Sequence, residues 1–335
     1  MTLKGCEILG SEVCPRNSEA NVVWDRVKYG ATVTTECPAG SSGLATRDCT
    51  RLGWAQPDLD NCQSERFSEL ARFQRALKSN SRSLSTQKAV NLAEHLFLAL
   101  EDPDERTLFG QDIQVAFNLL LDNFAFQNTH SGYDLSMTSS TDFSKHLFAA
   151  SARMIHLSED EWSTLDPLAA VHILNALASY AETIAANLPR TFTSKISAKH
   201  PIDSGDDLAF LAINGTSSEI IPSADAMIHF DASKLVGDVP RASTVFTSRR
   251  LASLLPLKFA PEKKGFKIPP HPVINSAIIS IALYENFTVL ESIPDEPIRI
   301  HFRLLKSEGR SRPQCVFWHT EIDAWSPHGC YIVVE

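Results

Sequence analysis

The spacing of apolar positions along the chain changes, and the change separates two kinds of structure. Between Phe67 and about Leu188 apolar residues recur at intervals of three and four, beginning with Phe67, Leu70, Phe73 and Leu77; this is the period of one face of an α-helix. Further faces follow: Val90, Phe97 and Leu100, with Ser85 and Thr86 placed as caps; Ile113, Phe117, Leu120 and Phe124; then Asp142 followed by Phe143, Leu147, Ala150 and Met154. The sharpest helix has Asp166 as N-cap and Pro167 at its first position, carries Ile173, Leu177, Tyr180, Ile184 and Leu188, and stops before Pro189. Together these stripes predict a helical bundle.

After residue 200 the period shortens to two. Ile298, Ile300, Phe302 and Leu304 alternate with Arg299, His301 and Arg303, which predicts a half-buried strand. Shorter runs at Leu208 to Ile213, Ala226 to Phe230, Thr244 to Phe246, Ile274 to Tyr284, Val316 to Trp318 and Tyr331 to Val334 are separated by Pro, Gly and Asp turns. Such regular short strands predict an antiparallel sandwich. Helices first and strands afterwards make an α+β order, unlike the alternation of a nucleotide-binding parallel sheet.

Ahead of both regions, residues 14 to 62 are rich in Gly, Pro and turn residues, with a strand-like run at Ala31 to Thr35. Five of the seven cysteines (Cys6, Cys14, Cys37, Cys49 and Cys62) precede residue 63; the others are Cys315 and Cys330. That density predicts a small disulfide-stapled module of an extracellular protein. A core of about 50 residues buries little, so disulfides worth roughly 3 to 4 kcal/mol each are expected to carry much of its stability, with Trp24 and Trp54 as core fillers. No C-x-x-C pair occurs, which argues against a zinc knuckle or a thioredoxin-type site.

The 335 residues suggest roughly two domains. With 31 Lys plus Arg against 40 Asp plus Glu, the net charge is −9, the wrong balance for nucleic-acid binding. The longest apolar stretch, near Ala277 to Leu283, falls far short of the roughly 20 residues of a membrane-crossing helix. Met1 to Gly10 has no apolar core of a secretory signal, so the expectation is an internal piece of a longer ectodomain.

Catalytic and cofactor motifs are missing from the sequence: no G-x-S-x-G, P-loop, G-x-G-x-x-G, H-E-x-x-H or EF-hand spacing occurs. The expectation is no catalytic residue, no cofactor and no metal. His172 reads as a packed or rim residue of its helix, Asp203, Asp206 and Asp207 as a solvated turn, and Glu262 to Lys267 as an exposed loop. Asn214 and Asn286 begin N-x-[ST] sequons and are the N-glycosylation candidates.

Cys14-Pro15, Trp24, Gly30, the stretch Cys37-Pro38-Ala39-Gly40 through Cys49, and Gly53-Trp54 with Pro57-Asp58 to Asn61-Cys62 resemble the hormone-receptor (HormR) domain of adhesion G-protein-coupled receptors. The resemblance implies that the four core cysteines pair first with third and second with fourth, Cys14 to Cys49 and Cys37 to Cys62. Asp25 departs from the family's usual Pro after the tryptophan. Near the other end, Pro313, Cys315-Val316-Phe317-Trp318, Trp325 and Gly329-Cys330 resemble the first half of a GPCR proteolysis site (GPS) motif, which closes the β-rich half of a GAIN domain. Phe67-Ser68-Glu69-Leu70, Val273-Ile274-Asn275 and Phe302-Arg303-Leu304-Leu305 look most like the flamingo-type seven-pass cadherins.

This resemblance implies residues 1–13 as a remnant of an EGF-like region, 14–63 as HormR, 64–200 as helical GAIN subdomain A, and 201–335 as β-sandwich subdomain B with a truncated GPS motif. The family's later cysteines, its self-cleavage nucleophile and its tethered activating peptide lie beyond Glu335, so the sandwich is expected to be incomplete, and Cys315 and Cys330 either free or joined to each other. The implied function is an ectodomain fragment of an adhesion receptor acting in cell contact and signalling, not an enzyme. In the parent its partners are adhesion ligands or neighbouring receptors, the seven-helix fragment and a heterotrimeric G protein. The alternative is a secreted HormR/GAIN binding or decoy protein.

Overall fold

The computed structural model describes residues 13–79, 83–101, 108–130, 141–187, 193–198, 208–214, 219–223, 226–229, 241–248, 250–260, 267–268, 270–285, 288–289, 298–306, 308–310 and 312–333. Their packing forms two compact units. The first gathers described residues of 1–84, 98–119 and 157–165; the second gathers those of 85–97, 120–156 and 166–335.

The first unit begins with eight short strands: β1 (Val13–Cys14), β2 (Asn17–Glu19), β3 (Val22–Trp24), β4 (Val27–Lys28), β5 (Thr32–Glu36), β6 (Ser41–Thr50), β7 (Gly53–Trp54) and β8 (Cys62–Ser64). The long β6 organises them, pairing antiparallel with β5, β7 and β8 along different parts of its length. Disulfides join Cys14 to Cys49 and Cys37 to Cys62. Val22, Trp24, Ala45 and Cys62 make the buried core, and Val33, Trp54, Leu59 and Phe109 pack around it. Gly43, at φ 115°, passes so close to the backbone that an added Cβ would lie 2.3 Å from the Asn61 carbonyl oxygen, so only glycine fits there. One 3-10 turn, Glu65–Phe67, leads into α1 (Ser68–Lys78).

Helices α2 (Thr86–Leu100), α3 (Gly110–His130), α4 (Thr141–Ile155), the single-turn α5 (Glu159–Trp162) and α6 (Ala169–Asn187) follow; all but α5 lie at the positions the helical period predicts. Asp166 caps α6 through its side chain, which accepts the Leu168 N–H at 2.8 Å. In the second unit Tyr180 of α6 is fully buried among Phe124, Phe143 and Phe148, with ring centroids 5.4, 6.4 and 5.9 Å away. Its hydroxyl and that of Ser144 share a 2.7 Å hydrogen bond, which meets the polar need of a phenol in an apolar core. The stripe Val90, Phe97 and Leu100 is corrected in part, since only Leu100 is buried. In α2 the inward positions of the second unit are Ala89, Leu92, Ala93 and Leu96, while Val90 and Phe97 are half-buried. Two leucines and two alanines share that inward face.

The strands are β9 (Thr193–Ala198), β10 (Leu208–Asn214), β11 (Glu219–Ser223), β12 (Ala226–His229) and β13 (Arg241–Ser248), then, after the short α7 (Leu251–Leu254), β14 (Ile278–Glu285), β15 (Thr288–Val289), β16 (Arg299–Phe302), β17 (Phe317–His319) and β18 (Ala324–Ser326). Among the described residues these strands all pair antiparallel, and an isolated bridge between Phe259 and Trp325 is parallel. A five-stranded sheet runs β15-β14-β13-β10-β9, a three-stranded one β11-β12-β16, and β17-β18 is a hairpin. Helices α4 and α6 pack on the five-stranded sheet. The fold is thus α+β, with a disulfide-stapled strand module, helices and antiparallel sheets.

Two strand expectations change. Residues 331–333 carry no strand, although Tyr331 to Val334 alternates like one; Tyr331 and Val333 are 67% and 61% exposed, and among the described residues no strand pairs with them. The alternation around Ile300 does form β16, yet it is not half-buried: all four of its residues are exposed. Ile300 and Phe302 share a face with the buried Ile228 and Ala226 of β12, and among the described residues no strand pairs with the other edge of β16. Among the described residues no helix is long and apolar enough to cross a membrane.

Candidate functional site: a tryptophan hairpin and the arginine-tryptophan stack

Hairpin β17–β18 carries the GPS-like residues. Its register opposes Phe317 to Ser326, Trp318 to Trp325 and His319 to Ala324. The turn needs a left-handed residue, supplied by Asp323 at φ 45°. Trp325 is the anchor. It is 4% exposed, and its backbone N–H donates to the Lys258 carbonyl at 2.8 Å while its own carbonyl accepts the Ala260 N–H at 2.8 Å. Its indole N–H donates to the Pro256 carbonyl at 3.0 Å. Trp318 meets it edge to face, ring centroids 5.3 Å apart, a favoured geometry for aromatic pairs. The Lys258 ammonium donates to the Ile322 carbonyl at 3.0 Å and braces the turn.

Cys315 and Cys330 flank this hairpin, both half-buried and both free thiols. Their thiol groups interact. Burial first, and the Cys315 thiol second, push the Cys330 thiol above its ordinary pKa.

A second cluster lies in the strand module. Arg47 is buried with its guanidinium 5.6 Å from the Trp24 ring centre and 5.1 Å from that of Trp54. Its Nε donates to the Ala55 carbonyl at 2.6 Å, and its Nη2 pairs with the Glu19 carboxylate. Both indoles are committed as well, Trp24 to the Glu19 carbonyl at 3.3 Å and Trp54 to that of Pro15 at 2.6 Å. Trp24 is therefore core, as its role of filler anticipates, and the stack is a bracing device. Sequence reasoning missed Arg47. The signal was present in the period-two series Ala45, Arg47 and Cys49, all three buried on one face of β6.

Asp112, also missed, sits buried in the first turn of α3 and joins that turn to β8. One carboxylate oxygen accepts the Ser64 N–H at 3.0 Å, and the other accepts that of Phe109 at 3.3 Å. Beside it, a Cβ on Gly110 would stand 2.8 Å from the Asp60 backbone, so the turn approaches the module only as glycine. Burial raises the Asp112 pKa, opposed by the Ser64 and Phe109 hydrogen bonds and the Arg66 charge. A folded-state pKa above the unfolded one means the folded chain holds this proton longer as pH rises. The Asp112-linked part of stability is therefore greatest below the unfolded pKa and falls as pH climbs through the folded one. Asp112→Asn is expected to remove this slope and to cost about 1 to 2 kcal/mol at neutral pH, since its amide group faces a backbone donor. Urea titrations of both proteins from pH 3 to about 7 check it, and parallel stability profiles would refute the assignment.

The remaining site candidates lie apart from these clusters. Asn214 ends β10, paired with Ala242. Asn286, together with Asp203, Asp206, Asp207 and Glu262 to Phe266, lies outside the described residues. His172 is exposed on α6. Among the described residues no three His, Cys, Asp or Glu side chains converge as a metal site.

Comparison with known families matches residues 11–65 to the hormone receptor domain and residues 191–335 to GAIN subdomain B. The chain is a HormR–GAIN protein. Neither matched family is an enzyme family. The HormR–GAIN chain is 28% identical over 384 residues to the human cadherin EGF LAG seven-pass G-type receptor 2, and 28% over 390 residues to the human receptor 3. To the mouse receptor 1 it is 27% identical over 395 residues. Each alignment covers 99% of this chain but 12 to 13% of the relative, so the chain spans about an eighth of those receptors' length. Its domain pair and its relatives are those of flamingo-type adhesion-receptor ectodomains. The tryptophans and cysteines of hairpin β17–β18 fall inside the GAIN match, and the disulfides and the Arg47 stack inside the HormR match.

Proposed function

We propose that the HormR–GAIN chain is an extracellular segment of a flamingo-like adhesion G-protein-coupled receptor, working in cell–cell adhesion and transmembrane signalling. The observation that carries this reading is the order of the two matched domains within an alignment of 99% of the chain to seven-pass receptors. In this reading residues 1–13 end an EGF-like region, 14–63 are HormR, 64–200 are GAIN subdomain A and 201–335 are subdomain B. Asn214 and Asn286 carry glycans, and the Cys315, Trp318, Trp325 and Cys330 hairpin is the GPS motif. The parent sits at the plasma membrane with this segment outside the cell. Its partners there are adhesion ligands or neighbouring receptors, and across the membrane a seven-helix fragment and a heterotrimeric G protein.

Signal transmission would use the sandwich as a grip on the activating segment, held as an added strand until it is pulled free. The open edge of β16 and its uncovered apolar pair Ile300 and Phe302 favour strand addition. The test replaces the matching segment of a flamingo-type receptor with this chain, displayed on cultured cells. Surface delivery, cell aggregation and G-protein output comparable to the parent are expected. A swapped receptor that reaches the surface folded but neither aggregates cells nor signals would refute the proposal.

A further inference from the structure

The chain as a whole is acidic, with 31 Lys plus Arg against 40 Asp plus Glu, yet residues 299–312 reverse that balance. They hold five cations, Arg299, Arg303, Lys306, Arg310 and Arg312, against one acid, Glu308. In the register of β12 and β16, Arg299 stands opposite His229 and His301 opposite Met227, and all four side chains are exposed on one face. Same-side residues of a strand stand about 7 Å apart, and the alternation carries on to Arg303, one residue past β16. An acid, Glu219 of β11, lies opposite His229, two strand spacings or about 10 Å from Arg299. Among the described residues none of the five cations forms an ion pair. The other face of β16 carries Ile300 and Phe302, so whatever covers that apolar side leaves the cationic side in water.

The rest of the run is anchored through its backbone. Leu304 bridges to Ser276, and the Leu305 N–H donates to the Asn275 carbonyl at 3.0 Å. The Asn275 side chain clasps Lys306, accepting its N–H at 2.9 Å and donating to its carbonyl at 2.7 Å. The chain then turns through Arg312, left-handed at φ 58°, and the Gln314 amide donates to the Lys267 carbonyl at 3.2 Å. Lys306, Arg310 and Arg312 are all exposed.

We propose that the outer face of β12 and β16, with the run from Arg299 to Arg312, binds a sulfated polysaccharide. Clustered exposed cations create a positive potential that attracts polyanions even on an acidic protein. The anchored backbone lowers the cost of ordering these side chains around a ligand. Three observations select this class of polyanion. The disulfides Cys14–Cys49 and Cys37–Cys62 mark an oxidising, extracellular setting, where linear polyanions are sulfated sugars rather than nucleic acids. The face of Met227, His229, Arg299 and His301 holds no phenyl or indole ring on which a base would stack. Met227 is its one large apolar side chain, too little to seat it in a lipid surface. A linear sugar chain presents anionic groups at short, regular intervals and needs a row of cations, not a pocket. The inference rests on the surface of the second unit and does not depend on the receptor reading.

The test passes the full 335-residue chain over immobilised heparin. Retention at about 0.15 M salt and release as salt rises are expected, because binding sets condensed counterions free. Arg299→Ser with Arg303→Ser is expected to weaken binding at least about tenfold. The same loss of charge on α1, Arg72→Ser with Lys78→Ser, is expected to leave it unchanged. Equal weakening by the two pairs would show attraction by overall charge with no site, and would overturn the proposal. So would a wild-type chain that is not retained, desulfated heparin binding as well as heparin, or phosphatidylserine vesicles or single-stranded DNA binding as tightly. Lysine acetylation of the wild type with and without heparin, mapped by mass spectrometry, decides the place even if a variant fails to fold. Lys306 is expected to be shielded and Lys78 not, and equal modification of Lys306 in both samples would overturn the site.

Discussion

Replacing Cys14 and Cys49 together by alanine is expected to unfold the strand module at physiological temperature while leaving the second unit folded. The bond spans 35 residues of sequence, and freeing a loop of that size returns roughly 3 to 4 kcal/mol of conformational entropy to the unfolded chain. Both cysteines are buried, so the change also leaves a void where the sulfurs pack. Against this loss stands a core cluster of four buried residues, too small to absorb it, because a module of this size buries a low fraction of its surface. The measurement is limited proteolysis of the full chain with mass mapping. Cleavage concentrated between residues 14 and 62 is expected, together with loss of the near-ultraviolet signal from Trp24. A protease pattern identical to wild type at about 37 °C would show that the aromatic core and the Arg47 stack hold the module without this bond.

The second large effect is expected at Trp325. Its replacement by alanine empties the anchor of hairpin β17–β18, removes the ring against which Trp318 packs and leaves the Pro256 carbonyl without its donor. Large-to-small changes at a buried tryptophan cost about 3 to 5 kcal/mol, and a lost hydrogen bond to a partly buried carbonyl adds about 1 kcal/mol. Trp325→Phe separates the two contributions, since it keeps most of the packing but not the indole N–H, and is expected to cost less than half as much. Denaturant titration of the full chain, followed by the fluorescence of Trp318, reads both. Equal costs for the alanine and phenylalanine variants would place the anchoring in the hydrogen bond and not in the packing.

How much of this was legible beforehand depends on what each signal contains. The α4 stripe Phe143, Leu147, Ala150 and Met154 is wholly buried, because a helix long enough to show its period displays its inward face in sequence. Asp166 and Pro167 marked the start of α6 for the same local reason: a cap acts on its own turn. The α2 stripe holds at Leu100 and fails at Val90 and Phe97, because a period of three and four fits more than one set of apolar positions when Ala89, Leu92, Ala93 and Leu96 lie beside it. β16 was read correctly as a strand and wrongly as half-buried, since alternation shows that a strand has an apolar side but not whether anything lies against it. Arg47 was legible in its parity with Ala45 and Cys49. Asp112 was not, because a charged residue in the first turn of a helix is ordinary until Ser64, distant in sequence, is seen to donate to it.

By itself, the sequence determined what is local or periodic: the order of strand module, helices and strands, most helix positions, and the disulfide-rich character of the first fifth of the chain. Motif resemblance added the HormR and GAIN reading and the cysteine pairing implied for the module. Only the tertiary structure decided which surfaces meet. It buried Arg47 between two indoles, tied Asp112 to Ser64, left the apolar side of β16 uncovered, and brought the Cys315 and Cys330 thiols close enough to interact across a tryptophan hairpin. The physical reason is that period and capping act over one turn or one strand, whereas burial, ion pairing and thiol interaction depend on chain segments that sequence distance keeps apart.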